Sequence, residues 1–457
     1  MMMLRRKMLR DLEEWKGRKH KSLLIEGPKG VGKTTLVREF ARLKGLDLLE
    51  VDISRDAEAR ELFQSYHEPD DIISGLEDIT GSEVDGDTLI LLEEVQDSPR
   101  ARQSLKWFTD DGRYDVIATG SMIGWENSSK YWELFAEDGR RPMIHHCSEE
   151  HLTLRGLDFE EFLWATEVDK DIIDDIRRSV TDITPIDDDL INEMMDLFRD
   201  FMQVGGMPRS VDKYLVNRDP KETMDVRNDI ITGFRDEAIQ YAGSYWENAL
   251  GCLDMVCDVM RQEDRVLHTD IDDIGTMEGL GWLHYSKLGI FCENVGRPTR
   301  IFNPISWSRN SKVHIHDTGI LARIYGDETE RSLSEGNLGT ENGALLENVI
   351  AECMVKCGII PSHFSMDVGK GRMELDFVTI LGRRKTAIEV DSGRERETMH
   401  IDGISKVFDM DRLIMFDKGN IDYDENNDIE HYPYFCAAFM DSMIGEDDMH
   451  LFSHDLR

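Results

Sequence analysis

Over the first 165 residues, short uninterrupted apolar runs alternate with stretches in which apolar positions recur every three to four residues. The runs at 23–25, 48–51, 89–92 and 116–118 are too short for helices and lack polar alternation. They predict strands buried on both faces, joined by helices, as in a parallel α/β sheet. The N-terminal stretch 1–10 predicts a helix leading into the first strand; Asp11, Glu13 and Glu14 follow it at once and argue against a transit peptide. From about 168 to 190 acids dominate, and the pattern predicts a solvated connector with one weak helix. Residues 190–300 read mainly as helices, broken by the Gly205-Gly206-Met207-Pro208 turn. From about 312 strands and helices alternate again. The organisation expected is an α/β core over 1–165, a helical segment over 166–310 and a second α/β domain over 311–457.

Composition narrows the partners. The 457 residues carry 92 acidic against 54 basic side chains, a formal net charge of -38. That field opposes non-specific binding to nucleic acid, so any such site must be a local basic patch. No run of about 18 apolar residues exists to cross a membrane. Seven cysteines, an odd count with no C-x-x-C, predict reduced thiols and a cytoplasmic protein. Cys353 and Cys357 share a helical face and read as core rather than as a metal pair.

The chemistry begins at Gly27-Pro28-Lys29-Gly30-Val31-Gly32-Lys33-Thr34-Thr35. This is G-x-x-x-x-G-K-T between a predicted strand and a predicted helix, the context a phosphate-binding loop needs. Glycines let backbone N–H groups turn inward around phosphate oxygens, and the helix N-terminus adds partial positive charge. Lys33 is placed to reach the β- and γ-phosphates of ATP, and Thr34 to offer its hydroxyl to Mg²⁺. About 60 residues after Lys33, the strand 89–92 ends in Glu93-Glu94. Carboxylates at the C-terminal end of a parallel strand lie where ligands bind in open sheets. Glu93 is suited to hold Mg²⁺ and Glu94 to polarise the attacking water.

With Val95-Gln96-Asp97 and Ile117-Ala118-Thr119-Gly120-Ser121, these residues resemble the ATPase core of the AAA+ superfamily. More narrowly, they resemble prokaryotic AAA-type ATPases joined to a C-terminal domain of unknown function. That family usually has Asp-Glu where this chain has Glu93-Glu94. The resemblance implies that Glu94 is the catalytic carboxylate and Ser121 a sensor of γ-phosphate or water. It also implies that Arg140, in a Gly-Arg pair, is an arginine finger or sensor. It extends to the segment 154–163, to Gly205-Gly206-Met207-Pro208, and to the strand that ends in Asp317-Thr318-Gly319. Within 225–310 it implies a winged-helix-like module, with helices near 249–260 and 271–280 and a hairpin of 288–291 with 300–302. His314 and His316 share a strand face, but lack an evident third ligand and read as structural.

The last constellation, Glu374-Leu375-Asp376 followed by Glu389-Val390-Asp391, resembles the PD-(D/E)XK nuclease core. With the helix residue Glu347, it implies a second Mg²⁺ or Mn²⁺ pocket of Glu347, Asp376, Glu389 and Asp391. Asp391 stands where those nucleases have their lysine; Lys370 and Lys406 are the substitutes at hand. The reading is an Mg²⁺-dependent ATPase acting as a motor or switch on a protein or nucleic-acid client, with a homo-oligomer left open. Its alternatives are a nucleotide-gated scaffold with negligible turnover and an ATP-regulated DNA nuclease.

Overall fold

The computed structural model describes residues 4–124, 148–242, 246–263, 265–268, 273–295, 310–339, 342–368, 371–392 and 410–444. Helix α1 (Met8–Lys16), which begins later than the expected stretch 1–10, leads into β1 (Ser22–Glu26). Then come α2 (Lys33–Lys44), β2 (Asp47–Asp52), α3 (Ala57–Ser65), α4 (Pro69–Thr80), β3 (Thr88–Glu93), α5 (Pro99–Asp111), β4 (Asp115–Gly120) and β5 (Glu149–Thr153). The five strands form a parallel sheet in the order β2-β3-β4-β1-β5. Every apolar run read as a strand is one. Alternate residues of each run serve different cores. Leu23, Ile25, Leu89, Leu91 and Ile117 point to one face, with Val37 and Phe40 of α2. Leu24, Ile90, Leu92, Val116 and Ala118 point to the other, under α3, α4 and α5.

A helical segment follows: α6 (Phe159–Ala165), α7 (Lys170–Asp182), α8 (Asp188–Val204), α9 (Pro208–Asn217), α10 (Met224–Tyr241) and α11 (Trp246–Met260). The expected solvated connector is instead two packed helices. Ile173, Ile176 and Val180 of α7 are buried at i, i+3 and i+7, a helical stripe that the surrounding acids obscure. Those acids are partly caps: Asp56, Asp158, Asp169, Asp187, Asp273 and Asp317 each accept a backbone N–H at a helix start.

The remainder is β6 (Leu267–His268), α12 (Ile274–Tyr285), β7 (Gly289–Asn294), β8 (Asn310–Ile315), α13 (Thr318–Tyr325), α14 (Asp327–Ser334) and α15 (Gly343–Lys356). It closes with β9 (Ser362–Val368), β10 (Gly371–Leu381), β11 (Arg384–Val390), β12 (Arg412–Asp417), β13 (Asp422–Asp424), β14 (Ile429–Pro433) and the 3-10 segment Tyr434–Met443. All nine strands from β6 on form one mixed sheet, β13-β14-β12-β11-β10-β9-β7-β8-β6. This sheet bears on two expectations. The boundary at 310 falls inside that sheet, because β7 pairs with β8 antiparallel and with β9 parallel. β7 pairs with 311–315, and residues 300–302, the expected second strand of the wing, lie outside the described residues. The expected boundary at 165 also crosses a continuous apolar cluster, which runs from Leu12 through α6 to α10 to Met443.

Candidate nucleotide site

The phosphate loop leaves the C-terminal end of β1, between β4 and β5. Gly27, Gly30 and Gly32 take φ of 153°, 84° and 94°, conformations open chiefly to glycine. A Cβ on Gly27 would overlap the Leu154 carbonyl oxygen. Helix α2 starts at Lys33 with no side chain capping it, so its first N–H groups face the loop as an anion site. Arg6 fastens the loop from behind, donating Nη1 to the Val31 carbonyl at 3.1 Å. Lys33 is 5% exposed; its Nζ donates to the carbonyls of Gly27 (2.9 Å) and Pro28 (3.1 Å). Burial pulls its pKa down, against the pull of Glu94, Glu237 and Glu26.

Neighbouring strands bring the other candidates to the same edge. Register places Glu26 beside Gly120 and Leu92 beside Ala118, so Glu93, Glu94 and Ser121 all emerge near the loop. Thr34 Oγ1 donates to Glu93 Oε2. Burial pushes the Glu93 carboxyl up to about 7; Thr34 opposes the shift and the neighbouring Glu50 adds to it. Glu94 has φ 53° and ψ 49°, a left-handed conformation that costs a non-glycine residue about 1 kcal/mol. Gln96 Nε2 donates to Glu94 Oε2 at 2.6 Å and fixes the carboxylate. Met122, beside Ser121, is also left-handed at φ 56°. Strain of this kind concentrates at functional sites.

Two residues that sequence reasoning did not single out complete the site. Glu237 and Tyr241 lie one turn apart on α10. Ser121 Oγ donates to Glu237 Oε1 at 2.6 Å. Tyr241 donates to Asp97 Oδ1 at 2.6 Å and accepts from Gln96 Nε2 at 3.2 Å. Their signal lies in the pattern of α10, whose buried stripe of Ile230, Ile231, Phe234, Ala238 and Tyr241 is interrupted by Arg227 and Glu237. Charged residues on an otherwise apolar face need partners.

The later motifs meet behind the loop. A Cβ on Gly30 would stand 3.4 Å from Met207 Cε, and one on Gly32 3.7 Å from Pro208 Cγ. The Gly206 N–H donates to Asp317 Oδ2 at 2.8 Å, and the Leu157 N–H to the Gly206 carbonyl at 2.7 Å. Thus 154–163, 205–208 and 313–321 form one clasp. Arg140 lies outside the described residues.

The second acidic constellation is assembled differently from expectation. Among the described residues no three His, Cys, Asp or Glu are placed to hold a metal ion. Lys312 of β8 takes the centre instead, with Nζ 2.8 Å from Glu347 Oε1, 3.1 Å from Glu374 Oε1 and 3.7 Å from Asp376 Oδ1. Burial works against its charge, but these carboxylates outweigh it and raise its pKa. Arg265 also pairs with Glu347. Asp376 Oδ2 accepts the Val390 N–H at 3.0 Å, and Glu389 Oε1 the Asp376 N–H at 3.2 Å. Asp391 is exposed beyond the end of β11. The cation among these carboxylates is thus Lys312, on a strand 79 residues before Asp391, while Lys370 and Lys406 lie outside the described residues. His314 and His316 are buried against Phe377 and Phe234, and burial holds them near about 4 and about 3, hence neutral.

Residues 19–163 match a family described as "AAA domain". No curated protein matches. Among solved structures, the Walker-type ATPase PABY2304 of Pyrococcus abyssi is similar at 14% identity and TM-score 0.38, over 71% of this chain and 96% of that one. A structure titled "Structural Basis for Katanin Self-Assembly" is similar at 17% identity and TM-score 0.21, over 35% of this chain and 50% of that one. No helix among the described residues is long and apolar enough to cross a membrane. With its glycine cradle, buried lysine and paired glutamates on one parallel sheet, the segment 19–163 is similar to the AAA domain family.

Proposed function

We propose that the protein is an Mg²⁺-dependent ATPase that works as a cytoplasmic motor or switch on its own C-terminal sheet and the client bound there. The observation that carries this is the convergence of Lys33, the Thr34–Glu93 pair, Glu94 and Ser121 at one sheet edge. The donor set fits ATP and Mg²⁺: a buried cation and open N–H groups for the phosphates, a hydroxyl and a carboxylate for the metal. Bound Mg²⁺ would neutralise β- and γ-phosphate charge. The chain's own residues do the rest. Lys33 holds the phosphates, Glu94, oriented by Gln96, takes a proton from the attacking water, and Ser121 positions the water or the terminal phosphate.

The C-terminal sheet acts as a binding domain rather than a nuclease. Lys312 and Arg265 already offset most of the charge of Glu347, Glu374 and Asp376, which lessens the need of those carboxylates for a divalent ion. ATP turnover by wild type, Lys33→Ala and Glu94→Gln tests the reading, with calorimetry for binding. Lys33→Ala should lose ATP binding. Glu94→Gln should keep it and stop turnover, since an amide cannot take the proton. Normal hydrolysis by Glu94→Gln would refute the assignment. A wild type that binds ATP but never hydrolyses it, with DNA, RNA or cell lysate present, would make the protein a nucleotide-gated scaffold. Metal-dependent DNA cleavage lost in Asp376→Ala would restore the nuclease.

A further inference from the structure

We propose that Glu237 is an internal stand-in for the terminal phosphate of ATP, which must displace it, so that ATP but not ADP shifts helix α10. The inference rests on the ATPase reading above and deepens it by naming the element that responds to nucleotide.

Three observations carry it. First, position: Glu237 Oε1 accepts from Ser121 Oγ at 2.6 Å. Lys33 and Lys29 are near enough to stabilise its charge, while Glu94 is near enough to oppose it. A carboxyl group thus lies against Ser121 and in the field of Lys33, the two side chains assigned to the γ-phosphate. Second, incompleteness: Glu237 is 1% exposed, and its Oε2 is buried without a hydrogen-bond partner. Burial raises its pKa. A carboxyl so poorly satisfied is costly to keep, and a structural role alone would have supplied a second donor. Third, connection: the other end of α10 is tied to the C-terminal part of the chain. Arg227 is 1% exposed; its Nη1 lies 3.1 Å from the Gly319 carbonyl and 2.7 Å from Glu330 Oε1. Phe234 packs edge-on against His316, ring centroids 5.7 Å apart.

Two anions cannot share the Ser121 hydroxyl and the Lys33 charge. A γ-phosphate that binds them must expel the carboxylate or force it to take a proton. The carboxylate is fixed to α10 by one short side chain, so expulsion moves the last turn of the helix, where Tyr241 holds Gln96 and Asp97. ADP lacks the phosphate and leaves Glu237 in place. α10 would then report the phosphate state to Gly319 and Glu330 as a rigid rod.

The test is calorimetry of wild type, Glu237→Gln and Lys33→Ala with Mg²⁺ and either AMP-PNP or ADP, together with hydrogen exchange of wild-type peptides over 227–241. Removing the like charge should tighten AMP-PNP by about tenfold and change ADP by less than about twofold. In wild type, AMP-PNP but not ADP should speed exchange over 234–241. Equal changes for both nucleotides, weaker AMP-PNP binding by Glu237→Gln, or exchange indifferent to the nucleotide would overturn the proposal. Weaker binding of AMP-PNP alone would instead make Glu237 a phosphate or metal partner. Lys33→Ala separates the two levels: if it binds both nucleotides as wild type does, the ATP site itself is misplaced, whatever Glu237 does.

Discussion

Replacing Asp317 by alanine should open the clasp behind the phosphate loop. Asp317 is fully buried. Its Oδ2 accepts the Gly206 N–H at 2.8 Å, and its Oδ1 accepts the Ile320 N–H at 2.9 Å, capping α13. A Cβ on Gly205 would overlap Oδ1, so the two backbones close onto this one carboxylate. Each bond to a charged acceptor contributes about 1.5–3 kcal/mol, and truncation leaves the Gly206 N–H buried and unpaired. The loss is then about 3–5 kcal/mol. A chain of this size need not unfold in one step, so a global midpoint is a poor gauge. Hydrogen exchange of peptides over 204–211 and 318–325 reads the local opening directly. At about 1.4 kcal/mol per decade, exchange there should quicken at least a hundredfold. Asp317→Asn keeps one acceptor and should give a smaller effect. Because Met207 and Pro208 lie against Gly30 and Gly32, the KM for ATP should rise as well. Exchange of both peptides within about threefold of wild type would refute the clasp.

Two further outcomes follow from the electrostatics. Glu93, pushed up to about 7 by burial and Glu50, is mostly protonated at pH 6 and cannot then hold Mg²⁺. Hence kcat/KM for ATP should climb between pH 6 and 8, and Glu50→Gln, which lowers the Glu93 pKa, should move the climb to lower pH. A flat profile, or one that Glu50→Gln leaves in place, would count against Glu93 as a metal ligand. Lys312→Met should leave Glu347, Glu374 and Asp376 without their shared cation, at a cost of about 3–5 kcal/mol. Carboxylates so stranded have raised pKa values, so the folded state binds the extra protons and the loss grows as pH rises. The melting temperature should fall more at pH 8 than at pH 5, and Mn²⁺ should restore part of it at pH 8. Equal losses at both pH values would show that Lys312 matters for packing alone.

The chain by itself determined the parallel-sheet core and its phosphate loop. Its strands are continuous apolar runs, and its phosphate loop is contiguous in sequence, so local pattern and local chemistry suffice. The placement of Glu93, Glu94 and Ser121 was legible for the same reason: each lies at a strand end, and parallel strands deliver their C-terminal ends to one edge. The expected weak helix of the connector is α7, but its packing was not legible because its apolar stripe is narrow and surrounded by acids. Strand pairing is a long-range choice: nothing local in Gly289–Asn294 says that its partner is Asn310–Ile315. Tertiary structure alone decided what stands beside each charged group. Glu237 meets Ser121 across 116 positions, and Lys312 meets Glu374 across 62. A buried charge requires a partner, but the requirement carries no address. The partner is supplied by whichever element the packing of apolar faces brings alongside, and that packing exists only once the whole chain has folded.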